Sequence, residues 1–172
     1  VRRQPEGRGK VADARFAPST GCGRDVPLPV GRSRITIAVG SGQRSARIDV
    51  PASATPSTPA PVLVSLHPFS VDGAGWESYS GLAAAAVARG YVVITPNGSQ
   101  PGPRWNVPGG LENSVDDVGY VSRLLDAVED GTCIDRNREF AAGFSAGAAM
   151  AQALSCTLPW RMAAVAASGG SN

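Results

Sequence analysis

Hydrophobic and polar positions change their spacing several times along the chain, and each change marks a different element. Ile35, Ile37 and Val39 alternate with Thr36 and Ala38, and Ala46, Ile48 and Val50 alternate with Arg47 and Asp49. A period of two is that of a strand with one buried face. Ser41-Gly42 between the runs is a turn, so the pair predicts a β-hairpin in a chain ordered from about Arg34. Val62 to Leu66 is instead a continuous apolar run, bounded by Pro61 and Pro68. Strands covered on both faces read this way, as in a parallel sheet between helix layers. Val92-Val93-Ile94-Thr95 is a second such run, stopped by Pro96-Asn97-Gly98. Between the two, Trp76 to Arg89 is Ala-rich and predicts a helix with Gly90 as its stop.

Further on, Val115, Val118, Val121, Leu125 and Val128 recur at near-helical spacing. Ser114 or Asn113 is expected to cap this helix, Asp116 and Asp117 to favour its positive end, and Gly131 to finish it. Glu139 to Gly143 predicts a third strand, followed by a turn and an Ala-rich helix to about Cys156. Met162 to Ala167 predicts a fourth buried strand. A hairpin followed by strands and helices in alternation implies an α/β fold, a mostly parallel sheet with flanking helices and right-handed crossovers. Residues 1–33 lack apolar periodicity and read as an irregular N-terminal leader with no apolar core of a signal peptide. Residues 34–172 form the domain, with Gly/Pro-rich loops at Pro51 to Pro61 and Pro101 to Gly110.

Composition narrows the function classes. With 172 residues, 42% of them hydrophobic, the chain suits one domain with a real core. Its 16 basic and 14 acidic residues nearly balance. That excludes a nucleic-acid binder working by phosphate neutralisation, which needs a clustered basic excess. No run approaches the roughly 18–20 apolar residues of a membrane span. One count bears on chemistry: His67 is the only histidine. A mechanism needing a histidine base must use it or do without.

Gly143-Phe144-Ser145-Ala146-Gly147 fits the pattern G-x-S-x-G, and it falls between a strand and a helix. Chemistry explains the spacing. A serine on a strained strand-to-helix turn has its hydroxyl pushed out above the sheet, and the glycines leave room for the tight backbone. The helix N-terminus then offers an N–H, here that of Ala146, to a developing oxyanion. Ser145 is the candidate nucleophile. Leu66-His67-Pro68-Phe69 ends the first buried strand, where the second oxyanion donor of such sites lies. Pro68 has no N–H, so the Phe69 amide is the candidate. His67 reads as a hydrogen-bonding residue that shapes this loop, with a catalytic base as the alternative.

Taken in order, these pieces resemble a known family. The hairpin, Leu66-His67, Tyr91 to Gly98, Trp105-Asn106, Val115-Asp116-Asp117-Val118, Cys133-Ile134-Asp135 and Gly143 to Gly147 are similar to the secreted polyhydroxybutyrate-depolymerase and feruloyl-esterase-like α/β-hydrolases. The likeness spans about Cys22 to Gly170. It implies an α/β-hydrolase fold and a Ser-His-Asp esterase acting outside the cell on small or polymeric carboxylic esters, without metal or organic cofactor. By position, Ser145 is the nucleophile, and the Ala146 and Phe69 amides are the oxyanion hole. Trp105, with His67 more loosely, lies near the acyl or aromatic substrate, a buried structural Trp being the alternative.

Two departures stand out. Pro68 replaces the Gly that family members usually carry after this histidine. From Ala146 to Asn172 there is no Asp, Glu or His, although this fold orders its triad Ser, acid, His. Asp116 and Asp117 at a helix start, and Asp135 in a turn, do not replace the missing acid. The segment is therefore expected to be about two-thirds of a domain and nearly inert alone, since losing a triad member costs on the order of 10⁴ to 10⁶ in kcat. A non-catalytic binding or scaffold protein on the same fold is the alternative. Of three cysteines, Cys133 and Cys156 are expected to approach as a disulfide, with free buried thiols as the alternative and Cys22 left over.

Overall fold

A computed structural model describes residues 16–25, 28–99, 103–108 and 115–170. The hairpin comprises β1 (Gly31–Val39) and β2 (Gly42–Val50), so its first strand starts at Gly31 rather than Arg34. Next come β3 (Ala60–Leu66), α1 (Gly73–Ser80), α2 (Leu82–Val87) and β4 (Val92–Pro96). Then follow α3 (Asp117–Gly131), β5 (Ile134–Phe144), α4 (Ala146–Thr157) and β6 (Met162–Ser168). The strands form one sheet in the order β1-β2-β4-β3-β5-β6. The four inner-to-outer strands β4, β3, β5 and β6 run parallel, and the hairpin joins β4 antiparallel.

Every residue of β3 and β4 is buried, as an uninterrupted apolar run requires. Their side chains alternate between two cores. Val62, Val64, Leu66, Val92 and Ile94 pack with Leu124, Leu125, Val128, Met150 and Leu154 from α3 and α4. Leu63 and Val93 meet Ala83 and Ala86 of α2 on the other face.

Four expectations need correction. The helix expected over Trp76 to Arg89 is two short helices. Gly81 adopts φ 63° and gives its N–H to the Glu77 carbonyl, which closes α1 before α2 begins. The cap of α3 is Asp116, whose carboxylate accepts from the Gly119 N–H at 2.7 Å. The other caps considered, Asn113 and Ser114, lie outside the described residues. The strand expected over Glu139 to Gly143 extends from Ile134 to Phe144.

Finally, β6 is not buried. Met162 is, but the remainder of the strand is mostly exposed because β6 ends the sheet order and its apolar sequence lies along an edge. Periodicity reports side-chain polarity, not position within the sheet.

The start of β6 is held by Arg161. Its guanidinium reaches Glu139 of β5 at 3.0 Å, Asp126 of α3 at 2.5 Å, and Glu129 of α3. Glu139 is 1% exposed and shares a hydrogen bond with Glu129. Burial, opposed by Arg161, pushes its carboxyl up to about 7. The unfolded chain ionises Glu139 near the ordinary glutamate range, so between about pH 4.5 and 7 the folded chain keeps a proton that the unfolded chain releases. This contribution is complete below that window and is lost as pH rises through it, by up to about 1.4 kcal/mol per unit. Urea midpoints measured from pH 5 to 8 are expected to fall, and Glu139→Gln, which mimics the protonated form, is expected to flatten that fall.

The three cysteines correct the pairing. Cys22 and Cys133 form the disulfide, closing 111 residues, while Cys156 is free and exposed near the end of α4. The segment from Phe16 lies along the α3–β5 junction. The Ser19 N–H donates to the Ile134 carbonyl at 2.8 Å, its hydroxyl to Glu129 O at 2.8 Å, and the Arg136 N–H to Ala17 O at 2.8 Å. Cys22 is thereby delivered to Cys133.

Candidate active site

Register brings the two candidate site segments together. Leu66 of β3 lies opposite Gly143 of β5, and Phe144 lies opposite Ser168 of β6. The chain leaving β3 at His67 and the chain leaving β5 at Ser145 therefore emerge side by side at the C-terminal edge, where open α/β sheets place their sites.

Ser145 has φ 53° and ψ −116°, a conformation that costs a non-glycine residue on the order of 1–3 kcal/mol. Neighbours hold it there. Its N–H donates to the Ser168 carbonyl at 2.9 Å, and its own carbonyl accepts from Ala148 and Ala149 at the start of α4. Its side chain makes no capping bond to α4, so the hydroxyl is not tied down by the helix it precedes.

The glycines of the motif are required by close approach. A Cβ on Gly143 would stand 2.2 Å from Gly147 O, and one on Gly147 would stand 2.2 Å from Leu66 O and 2.8 Å from His67 O. The first turn of α4 thus lies directly against the backbone that leaves β3. Its N-terminal amides, Ala146 first, point to the space above the sheet with the positive end of the helix dipole.

Facing this turn is the loop from His67 to Val71. Phe69 is 59% exposed, and its N–H has no acceptor among the described residues. His67 is fully buried. Its Nε2 accepts the Gly98 N–H at 2.8 Å, so that nitrogen carries the lone pair, and Nδ1 carries the hydrogen donated to Pro68 O at 2.9 Å. Burial also lowers its pKa and favours the neutral ring.

Both ring nitrogens of His67 are thus engaged within the protein. Trp105 is 8% exposed, lies 4.6 Å from the His67 ring and donates Nε1–H to His67 O at 2.8 Å. It braces the loop from inside the core. Gly98 and Asn97, whose Oδ1 accepts the Gly73 N–H, were not expected as part of this support. Their only sequence signal is the turn dipeptide after β4.

The upstream carboxylates are also committed. Asp117 is buried against Arg44 and the Asn106 N–H, and burial raises its pKa. Asp135 accepts from Ala17, Asn137 and Arg138. Among the described residues, no three His, Cys, Asp or Glu side chains converge to hold a metal ion.

Beside the elbow lies a hollow of about 310 Å³ bordered by Trp76, Leu82, Gly143, Phe144, Ala167 and Ser168. Phe144 stacks on Trp76 with centroids 6.4 Å apart.

No family model matches the chain. It is 34% identical over 127 residues to feruloyl esterase B of Piromyces equi, covering 73% of this chain and 24% of that protein. It is 28% identical over 170 residues to feruloyl esterase D of Neurospora crassa, covering 92% and 56%. Among solved structures, an acetyl xylan esterase from Aspergillus awamori superposes with a TM-score of 0.64 at 22% identity, over 81% of this chain and 55% of that one. The chain is a feruloyl-esterase-like α/β-hydrolase. A ferulic acid esterase shares the fold at a TM-score of 0.59 and 19% identity, over 81% of this chain and 61% of that one. These proteins carry the feruloyl-esterase side of the expected resemblance. The chain spans about half the length, or less, of the curated relatives named here.

Proposed function

We propose that this feruloyl-esterase-like chain carries the nucleophile and oxyanion half of a serine esterase for carboxylic esters of the feruloyl or acetyl-xylan kind. The observation that carries this is the backbone of Ser145, held at positive φ between β5 and α4 by two glycines that admit no side chain. In this reading Ser145 Oγ attacks the ester carbonyl carbon while its proton passes to a base. The carbonyl oxygen takes the negative charge, facing the Ala146 and Phe69 N–H groups. The C–O bond to the alcohol then breaks, the alcohol leaves protonated, and water releases the acid from Ser145.

His67 does not supply the base, because both its nitrogens are spent. Turnover by the 172 residues alone is therefore expected to be at least about 10⁴ lower than for a complete triad. The disulfide supports an extracellular, oxidising setting.

The test is labelling by a fluorophosphonate, which forms a covalent bond to an activated serine. Slow labelling at Ser145, lost in Ser145→Ala and located by peptide mass, is the expected result. Equal labelling of both proteins would instead favour a binding or scaffold module on this fold. Rapid ester turnover abolished by Ser145→Ala would refute the expected inertness of the segment.

A further inference from the structure

Two non-glycine residues among those described have positive φ, and both belong to this site: Ser145 at 53° and Ser70 at 62°. Ser70 lies in the loop that faces the elbow. Its hydroxyl is exposed, so side-chain chemistry does not explain why the residue is held in a left-handed conformation. The Val71 N–H donates to Pro68 O at 3.4 Å, closing a four-residue turn in which Phe69 and Ser70 are the central pair. Positive φ at the second central residue, with the first not positive, is the signature of a type II turn. The peptide between the central residues of that turn is rotated by roughly 150° from its direction in the common type I turn.

That rotation decides which amides face the nucleophile. The Ser70 N–H donates to Pro103 O at 2.9 Å and is thereby turned into the protein. Pro68 has no N–H to offer. The first central N–H of a β-turn is never used by the turn itself, which leaves the Phe69 N–H as the loop's donor. We infer that Ser70 is a positioning residue: its left-handed backbone, anchored on the Pro103 carbonyl, selects the Phe69 amide as the second oxyanion donor. This rests on the esterase reading above and adds to it a residue that touches no substrate. It also accounts for the Pro at position 68, since the donor lies one residue further along.

The inference predicts that function at position 70 follows tolerance of positive φ and not the hydroxyl. Gly and Asn accept that region readily and β-branched residues do not. In this chain, Ser70→Val is expected to slow fluorophosphonate labelling of Ser145 at least tenfold, while Ser70→Gly and Ser70→Asn label at or near the wild-type rate. Amide hydrogen exchange supplies a readout independent of labelling. The Ser70 amide is expected to be protected and the Phe69 amide to exchange freely in wild type and Ser70→Gly, with the Ser70 protection lost in Ser70→Val. Wild-type labelling combined with an undiminished rate in Ser70→Val would overturn the inference, as would an unprotected Ser70 amide in wild type. Absence of Ser145-dependent labelling in the wild-type chain would overturn the esterase reading itself, and the role of the Phe69 amide with it.

Discussion

Replacing Gly147 with Ala is expected to destabilise the chain by about 3 kcal/mol or more and to abolish labelling of Ser145. The added methyl would stand 2.2 Å from the Leu66 carbonyl oxygen and 2.8 Å from that of His67. Both are backbone atoms at the end of a fully buried strand, so no side chain can swing aside. Relief requires α4 to move off β3, and that movement carries Ser145 and the Ala146 amide away from the Phe69 loop. Urea unfolding measures the first effect and fluorophosphonate labelling the second. Ala149→Gly, a change of the same size further along α4, separates the steric effect from helix propensity. It is expected to cost only about 1 kcal/mol and to leave labelling intact. Equal stability of Gly147→Ala and wild type would show that α4 does not touch the β3 exit as described.

Loss of the Cys22–Cys133 bridge is the other large effect. A cross-link closing 111 residues removes loop-closure entropy from the unfolded chain worth about 4–5 kcal/mol in the chain-entropy account. The bridge also holds the Phe16 to Cys22 segment on the α3–β5 junction, where Ser19 bonds to Glu129, Thr132 and Ile134. The Cys22→Ser/Cys133→Ser variant is therefore expected to unfold at markedly lower urea than wild type, and dithiothreitol to bring wild type down to the same midpoint. Cys156→Ser is expected to change nothing, because that thiol is free and exposed. A drop in stability on removing Cys156, with none on removing Cys22, would restore the pairing expected from spacing.

These two effects differ in how far the sequence reveals them. Gly147 stands in a pattern whose spacing implies a tight turn, and the surrounding polarity reads as strand then helix. The need for glycine there is legible; its clash partner is not, because Leu66 comes from a different strand. The disulfide is the opposite case. Cys133 and Cys156 bracket one strand–helix unit and look like neighbours in the sequence, but Cys133 is buried and bonded to Cys22, whereas Cys156 is exposed on α4. Cys22, in a stretch without periodicity, is brought to Cys133 by backbone bonds from Ser19 and Ala17 that no local pattern announces.

The same contrast holds at the site and in the sheet. The Ser145 turn and the proposed oxyanion loop follow from a motif and from the run that ends at Leu66. His67 shows where local reading stops. Its type suits either a base or a support, and only tertiary structure supplies the Gly98 N–H on one nitrogen and the Pro68 carbonyl on the other. Trp105 bonds the His67 carbonyl, a partner its own sequence neighbourhood does not announce. For Met162 to Ala167, apolar character is visible in the sequence, but exposure depends on β6 lying at the end of the strand order.

The amino-acid sequence alone determined the alternation of elements, the buried central strands and the elbow serine, since each rests on spacing within a few residues. Tertiary structure decided the disulfide, the exposed edge, the hydrogen bonds of the single histidine and the turn at Phe69-Ser70. Each of these depends on atoms distant in sequence, whose meeting is set by strand order and register.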